Sequence, residues 1–517
     1  MFSRKSAIVA FLFLFVWTLS NAQTKSLPRS NPEAEGVSSQ SILDFLKAAG
    51  NSKHEFHSIM ILRHGKVIAE GWWAPYRPDL KHTMYSVSKS FTSTAIGFAV
   101  SEKRLTVEDK VLSFFPEYAP DSISPNLAEL RVKDLLSMSV GQPTDPTGLV
   151  VSRDSNWIKG FLALPISFKP GSRFLYNSLG TYMLSAIVQK VTGEKTIDYL
   201  KPRLFEPLGI TGMDWEVDPM GRNVGGWGLR VKTEDMAKFG LLYLQKGKWN
   251  GKQILPEAWI EEATTKKIDQ APAAPDSVRN SNDWVQGYCY QFWRSRHNTY
   301  RGDGAFGQYI LVWPDQDAVI AITSETSNMQ EELNLVWKYL LPAFKNGSLP
   351  ADKKTATELK QKLASLSIAK PGTGVASTTS KRISGKTFDL QSNQTRYDKI
   401  SFKNSGKELQ VDLSSEKVNY KISFGAGAWK FGETTKLGPS LVGRAKAHFV
   451  GLPASKIAGS YRWKDENTLE LTLRYIDSPH TETILCKFNE TDIAIDISNS
   501  FDTNPANKLP TIKGKME

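Results

Sequence analysis

A chain of 517 residues is longer than one hydrophobic core organises, which points to two or more domains. Hydrophobic residues at 40% and charged residues at 23% exclude wholesale disorder and a multi-span membrane protein. The formal net charge of +12 comes without a long run of like charges or a basic stripe interleaved with aromatics, which argues against nucleic-acid binding and suits solubility or contact with acidic envelope material.

The chain opens with Arg4 and Lys5, an apolar run from Ala7 to Leu19, and the small residues Ser20 and Ala22. That pattern predicts a signal peptide over residues 1–22 and export to the periplasm or beyond. An uncleaved anchor is the competing reading, but the run is shorter than the roughly 20 residues that span hydrocarbon, so no membrane span is expected after signal removal. Cys289 and Cys486 are the only cysteines and read as separate buried thiols. With no Cys-x-x-Cys and no His-Glu-x-x-His, neither a metal nor a cofactor is expected.

In chain order, a helical pattern through Ile42, Phe45 and Leu46 leads to two strands, His57 to Arg63 and Lys66 to Glu70. They are joined by the turn His64-Gly65 as an antiparallel hairpin. Ser86-Val87-Ser88-Lys89 follows, at the start of a helix marked by Val87, Phe91, Ala95 and Phe98. Side chains three apart lie on one helix face, so Lys89 reaches the Ser86 hydroxyl as a base or as the holder of one. A helix start also favours developing negative charge. The same residues fit a plain N-cap serine.

Ser-x-x-Lys also occurs at Ser367/Lys370 and Ser414/Lys417. Leu135 to Gly141 reads as a short helix closed by glycine. Tyr176-Asn177-Ser178 stands just before a helix through Met183, Ile187 and Val191 that ends at Gly193. Trp227, set between Gly226 and Gly228, lines a cleft or fills a core with equal weight. Asp235 to Leu244 is an amphipathic helix. Gly287 to Trp293 is strand-favouring, and Gly302-Asp303-Gly304-Ala305 enters a second hairpin, Tyr309 to Trp313 with Ala318 to Thr323. A helix through Leu333, Val336, Leu340 and Phe344 closes the segment.

Residues 366–382 have linker composition around Pro371 to Ser380 and divide a domain over 23–365 from one over 383–517. Beyond the linker, period-two alternation at Leu409/Val411/Leu413, Val418/Tyr420/Ile422/Phe424 and Leu469/Leu471/Leu473 predicts an antiparallel barrel or sandwich. Ser367 then borders the linker and Ser414 ends a strand, so neither shares the setting of Ser86.

Together these residues resemble the serine hydrolases of the class C β-lactamase and penicillin-binding-protein type, especially the esterase and 6-aminohexanoate-dimer hydrolase branch, over roughly Leu27 to Leu349. Ser86-Val87-Ser88-Lys89 looks like the first family motif, Tyr176-Asn177-Ser178 like the second, and Gly302-Asp303-Gly304 falls where the third is expected. The resemblance implies an α/β fold: an antiparallel sheet flanked by helices plus a helical subdomain. It implies Ser86 as nucleophile, Lys89 and Tyr176 sharing the base work with Lys89 lowering the pKa of the phenol, and the backbone N–H groups of Ser86 and Ala305 as oxyanion hole. Gly304, Ser178, Asn177 and Trp227 are the further candidates for substrate contact.

Two departures bear on substrate. Asn occupies the middle of the second motif, with Ser178 at its end, and Gly302 replaces the cation of the third, although Arg301 is adjacent. An ester or amide of a small molecule is therefore expected as substrate, through an acyl-enzyme. β-Lactamase or D-amino-acid peptidase activity is the alternative, as is a silent cell-wall or carbohydrate binder keeping the fold. A Ser-His-Asp hydrolase lacks its Gly-x-Ser-x-Gly elbow here.

Overall fold

Strands Glu55–Arg63 and Lys66–Trp72 form the first hairpin, with His64 and Gly65 both at positive φ in its turn. The computed structural model describes residues 26–502, 504 and 507–517; the segment read as a signal peptide lies outside them. The hairpin joins a six-stranded sheet in the spatial order Lys66–Trp72, Glu55–Arg63, Ala318–Glu325, Gln308–Trp313, Tyr300–Gly304, Trp293–Arg294, antiparallel throughout. The beginning and end of the hydrolase region thus meet at the sheet's centre.

This sheet is covered on both faces, which explains why its strands are nearly continuous apolar runs. Successive side chains alternate sides. Met60 and Leu62 pack with Phe91 and Phe239 in one core, while Ile59 and Ile61 pack with Phe45, Leu333 and Trp337 in another. Each such buried side chain contributes roughly 1.5–3 kcal/mol relative to exposure. The first core continues into a helical subdomain that includes Val132–Leu136, Trp157–Leu162 and Ser178–Thr192.

Three expected elements differ. Of Gly287 to Trp293 only Trp293–Arg294 is strand. Its backbone bonds sideways instead, Tyr290 N–H donating to the Ala263 carbonyl and Gln291 N–H to that of Leu136. The short helix ends at Leu136 rather than running to Gly141, and Met138 turns to positive φ. The Gln291 side-chain amide takes the carbonyls of Leu135 and Leu136 at 3.0 and 2.8 Å, which terminates that helix. Farther on, the helix expected through Leu333 begins as Met329–Leu335, widens to a π-helical turn over Val336–Leu340 and tightens to a 3-10 turn over Leu341–Ala343.

The C-terminal part is a closed barrel rather than a sandwich. Ten strands follow one another in antiparallel pairs from Asn419–Ala426 round to Lys430–Thr434, and a parallel pairing of Gly425 and Ala426 with Ser460 and Tyr461 closes the ring. Leu409, Val411 and Leu413 point inward, as the alternation requires. The barrel is docked on the hydrolase region: Arg230 Nη1 reaches Asp477 Oδ2 at 2.8 Å, Arg474 bonds Glu55, and Ala445 and Ala447 join the first core. Leu366 and Ile368 are buried in the second core, so the first residues of the expected linker pack as part of the hydrolase region.

Candidate active site

Ser86 sits in a single tight turn, Tyr85–Val87, that runs straight into helix Ser88–Ser101. Residues on both sides of it are buried, whereas Ser86 itself is half-exposed. The turn is held from three directions. Met84 N–H donates to the Leu229 carbonyl, Leu229 N–H to Ser88 Oγ, and Ser90 Oγ to the Gln291 carbonyl. Tyr85 carries φ 45°, a left-handed value that a non-glycine residue adopts only where its surroundings enforce it.

Lys89 lies one turn along and is 1% exposed. Its Nζ contacts Ser86 Oγ at 3.0 Å, Ser178 Oγ at 2.9 Å and the Gly226 carbonyl at 2.6 Å. Burial pulls its pKa down from 10.5 to about 7, against the opposing charges of Asp145 and Asp303. A neutral amine has two N–H bonds and one lone pair. The Gly226 carbonyl only accepts and Ser178 Oγ accepts readily, so the lone pair is left for the Ser86 hydroxyl.

Tyr176 is brought to the same point. Its ring lies 4.9 Å from Lys89 Nζ and stacks on Trp293 at 5.5 Å. Burial pushes its phenol above the ordinary value of 10, and a hydrogen bond with Ser86 only partly offsets this. The expectation that Lys89 lowers this phenol therefore fails: desolvation outweighs any such charge, and Lys89 itself is held near neutrality.

The third-motif strand Tyr300–Gly304 passes beside the Ser86 turn. A Cβ on Gly304 would stand 2.3 Å from the Met84 carbonyl oxygen, so glycine is required for the two backbones to approach. Ala305 follows, half-buried, at the start of the hairpin turn that ends at Gln308. Gly226 is required in the same way, since its Cβ would meet the Ser178 carbonyl at 2.7 Å.

Three candidates are not where substrate contact needs them. Asn177 is fully buried; its Oδ1 accepts from Gly180 N–H at 3.0 Å as the cap of helix Ser178–Thr192, and its amide donates to Gln142. Trp227 is 4% exposed, 5.9 Å from Trp157 in the core, with its Nε1 donating to Glu216. What that loop offers the site is the Gly226 carbonyl. Arg301 is fully buried, paired with Asp303 Oδ2 at 2.8 Å and lying 4.5 Å over Trp284, so it does not replace the missing cation. Asp303 and Arg301 are two apart on one strand and share a face, a pairing the alternation alone announces.

No histidine among the described residues bonds Ser86. The nearest arrangement is one residue away, where Tyr85 OH meets His480 Nε2 at 2.5 Å. Nor do the described residues contain a cluster of three or more His, Cys, Asp or Glu side chains able to hold a metal ion, and none of their helices is long and apolar enough to cross a membrane. A side-chain oxygen beside a buried amine, a phenol and two convergent backbone segments is equipped for acyl transfer.

The Beta-lactamase family model matches residues 55–343. The 6-aminohexanoate-dimer hydrolase of Paenarthrobacter ureafaciens is 26% identical over 280 residues, covering 51% of this chain and 71% of that protein. Among solved structures, the octameric penicillin-binding protein homologue from Pyrococcus abyssi covers 92% of this chain and 99% of its own at 17% identity and a TM-score of 0.46. The hydrolase EstCE1, described as having promiscuous acyltransferase activity, covers 58% of this chain and 99% of its own at 16% identity and a TM-score of 0.48. The chain belongs to the beta-lactamase family and is a serine hydrolase.

Proposed function

We propose that the chain hydrolyses an ester or amide bond of a small, exported-compartment substrate through an acyl-enzyme on Ser86. The observation that carries this reading is the 3.0 Å contact of Ser86 Oγ with the buried Lys89 amine. Neutral Lys89 takes the hydroxyl proton as Ser86 Oγ bonds the carbonyl carbon. The carbonyl oxygen becomes an oxyanion facing the N–H groups of Ser86 and Ala305, donors each worth about 3–4 kcal/mol to a transition state. Tyr176, kept protonated by burial, donates to the departing oxygen or nitrogen as the C–O or C–N bond breaks. Lys89, now an ammonium beside the phenolate, returns the proton. Water then repeats the sequence, losing its proton to Lys89 while Ser86 Oγ leaves protonated.

Substrate class rests on what the cleft lacks. Gly302 stands at the third-motif cation position and Arg301 is buried in the wall, so no described cation there faces a substrate carboxylate. That favours neutral acyl groups over penicillins and peptidoglycan termini. The Paenarthrobacter relative, a hydrolase named for a 6-aminohexanoate dimer, supports a small-molecule substrate. The direct test is hydrolysis of p-nitrophenyl acetate and butyrate by the purified protein and by Ser86→Ala. Activity lost in the variant supports the reading; equal rates end it.

A further inference from the structure

The two backbone N–H groups assigned above to the oxyanion hole are each next to an aromatic residue with a left-handed backbone. Tyr85, at φ 45°, precedes Ser86, and Phe306, at φ 67°, follows Ala305. Such residues cost about 1–3 kcal/mol each and persist only where tertiary contacts hold them. In this chain one side chain from the C-terminal barrel touches both. His480 lies in the short loop between strands Thr468–Tyr475 and Thr481–Asn489. Its Nε2 is 2.5 Å from Tyr85 OH, and its ring meets the Phe306 ring edge-on with centroids 4.7 Å apart. Tyr85 and Phe306 also touch each other, at 5.4 Å.

The imidazole is itself fixed. Nδ1 lies 2.6 Å from Glu325 Oε1, at the end of the central strand Ala318–Glu325, and that same oxygen accepts from Ser500 Oγ at 2.6 Å. Glu325 Oε1 is thus an acceptor, so Nδ1 carries the hydrogen and Nε2 accepts from the Tyr85 hydroxyl. Phe501 closes the cluster, 4.3 Å from His480 and 5.2 Å from Phe306. Beside it, Thr83 donates through N–H and Oγ1 to the Asp477 carbonyl of the same barrel loop. The barrel therefore grips the segment before Ser86 and the segment after Ala305 through one rigid unit.

We infer that His480, oriented by Glu325, is a positioning residue that sets the separation of the Ser86 and Ala305 N–H groups, so that the barrel completes the oxyanion hole of the hydrolase region. Neither His480 nor Glu325 touches the reacting atoms. Their effect is exerted on the transition state, where a misplacement on the order of 1 Å removes up to about 100-fold in rate. The inference rests on Ser86 being the nucleophile.

The test compares full-length wild type with Tyr85→Phe, His480→Ala, His480→Gln and the double variant Tyr85→Phe/His480→Ala, all confirmed folded by near-ultraviolet circular dichroism. Tyr85→Phe keeps the ring and removes the hydroxyl with its bonds to His480, Ser440 and the Leu441 backbone, all three in the C-terminal region. With p-nitrophenyl butyrate, kcat is expected to fall about 10-fold in Tyr85→Phe and about 10- to 100-fold in His480→Ala, with KM changed less than about 3-fold. His480→Gln, whose amide oxygen accepts from Tyr85 and whose N–H donates to Glu325, is expected to recover most of the loss. The double variant should be no slower than His480→Ala alone. A merely structural role would lower the melting temperature without this pattern in kcat. Folded Tyr85→Phe and His480→Ala with kcat within about 2-fold of wild type overturn the inference. Ser86→Ala, run alongside, separates the cases: if it stays active, the nucleophile reading has failed instead.

Discussion

Lys89 offers the sharpest check, because its burial has opposite consequences for activity and for stability. Its amine is pulled from 10.5 to about 7 by desolvation. At about 1.4 kcal/mol per pH unit, that displacement corresponds to about 5 kcal/mol of preference for the neutral form. Between pH 7 and 10.5 the unfolded chain binds a proton at this lysine that the folded chain does not, so stability from this group rises with pH across that window. Below pH 7 both states bind it and the slope vanishes. Lys89→Met, similar in length and apolar, removes the effect.

The expected outcome is that denaturant unfolding at pH 7.5 finds Lys89→Met at least as stable as wild type, and that wild type gains on the variant by about 2–3 kcal/mol between pH 7.5 and 9.5. Its hydrolysis of p-nitrophenyl butyrate falls by at least about 1,000-fold, since the serine has lost its base. In wild type kcat/KM rises about tenfold per unit below pH 7 and levels above it. Parallel stability curves for the two proteins, or an activity profile that first rises above pH 9, would refute a neutral, buried Lys89.

Three further outcomes follow from the same geometry. Tyr176→Phe keeps the stack on Trp293 but loses the acid, so p-nitrophenyl esters, which leave unaided, should slow less than about tenfold while alkyl esters and anilides slow by about 100-fold or more. Gly304→Ala puts a methyl 2.3 Å from the Met84 carbonyl; parting the two backbones should lower kcat about 100-fold and stability by about 1–3 kcal/mol, read from single-turnover rates and chemical denaturation. Nitrocefin should be hydrolysed with kcat/KM about 100-fold or more below p-nitrophenyl butyrate, because the cleft lacks the charged contact, worth up to about 3 kcal/mol, that would hold its carboxylate. Rapid nitrocefin turnover would show that the missing cation at Gly302 is of no account.

What the sequence disclosed was whatever local spacing governs. Ser86 with Lys89, the His64-Gly65 hairpin and the barrel alternation at Leu409, Val411 and Leu413 are short-range patterns, and all three appear in the structure. The Asn177 assignment missed because a residue one step before a helix has a capping role whose signal, Asn followed three residues later by a free helix N–H, was available and outweighed by motif spacing. For Trp227 the sequence leaves cleft and core evenly balanced, and tertiary packing decides for the core, with the Ser178 backbone pressed against Gly226. The protonation of Tyr176 and the roles inferred for Glu325 and His480 depend on tertiary burial and on contacts across hundreds of residues, for which no local pattern exists.

The central claim is that Ser86 forms the acyl bond. Intact-mass spectrometry after treatment with a fluorophosphonate, with peptide mapping of the adduct, tests it directly. A single adduct on Ser86 in wild type, absent from Ser86→Ala and prevented by preincubation with a small ester substrate, is the predicted result. Equal labelling of Ser86→Ala, or an adduct mapped to any other residue, would contradict it.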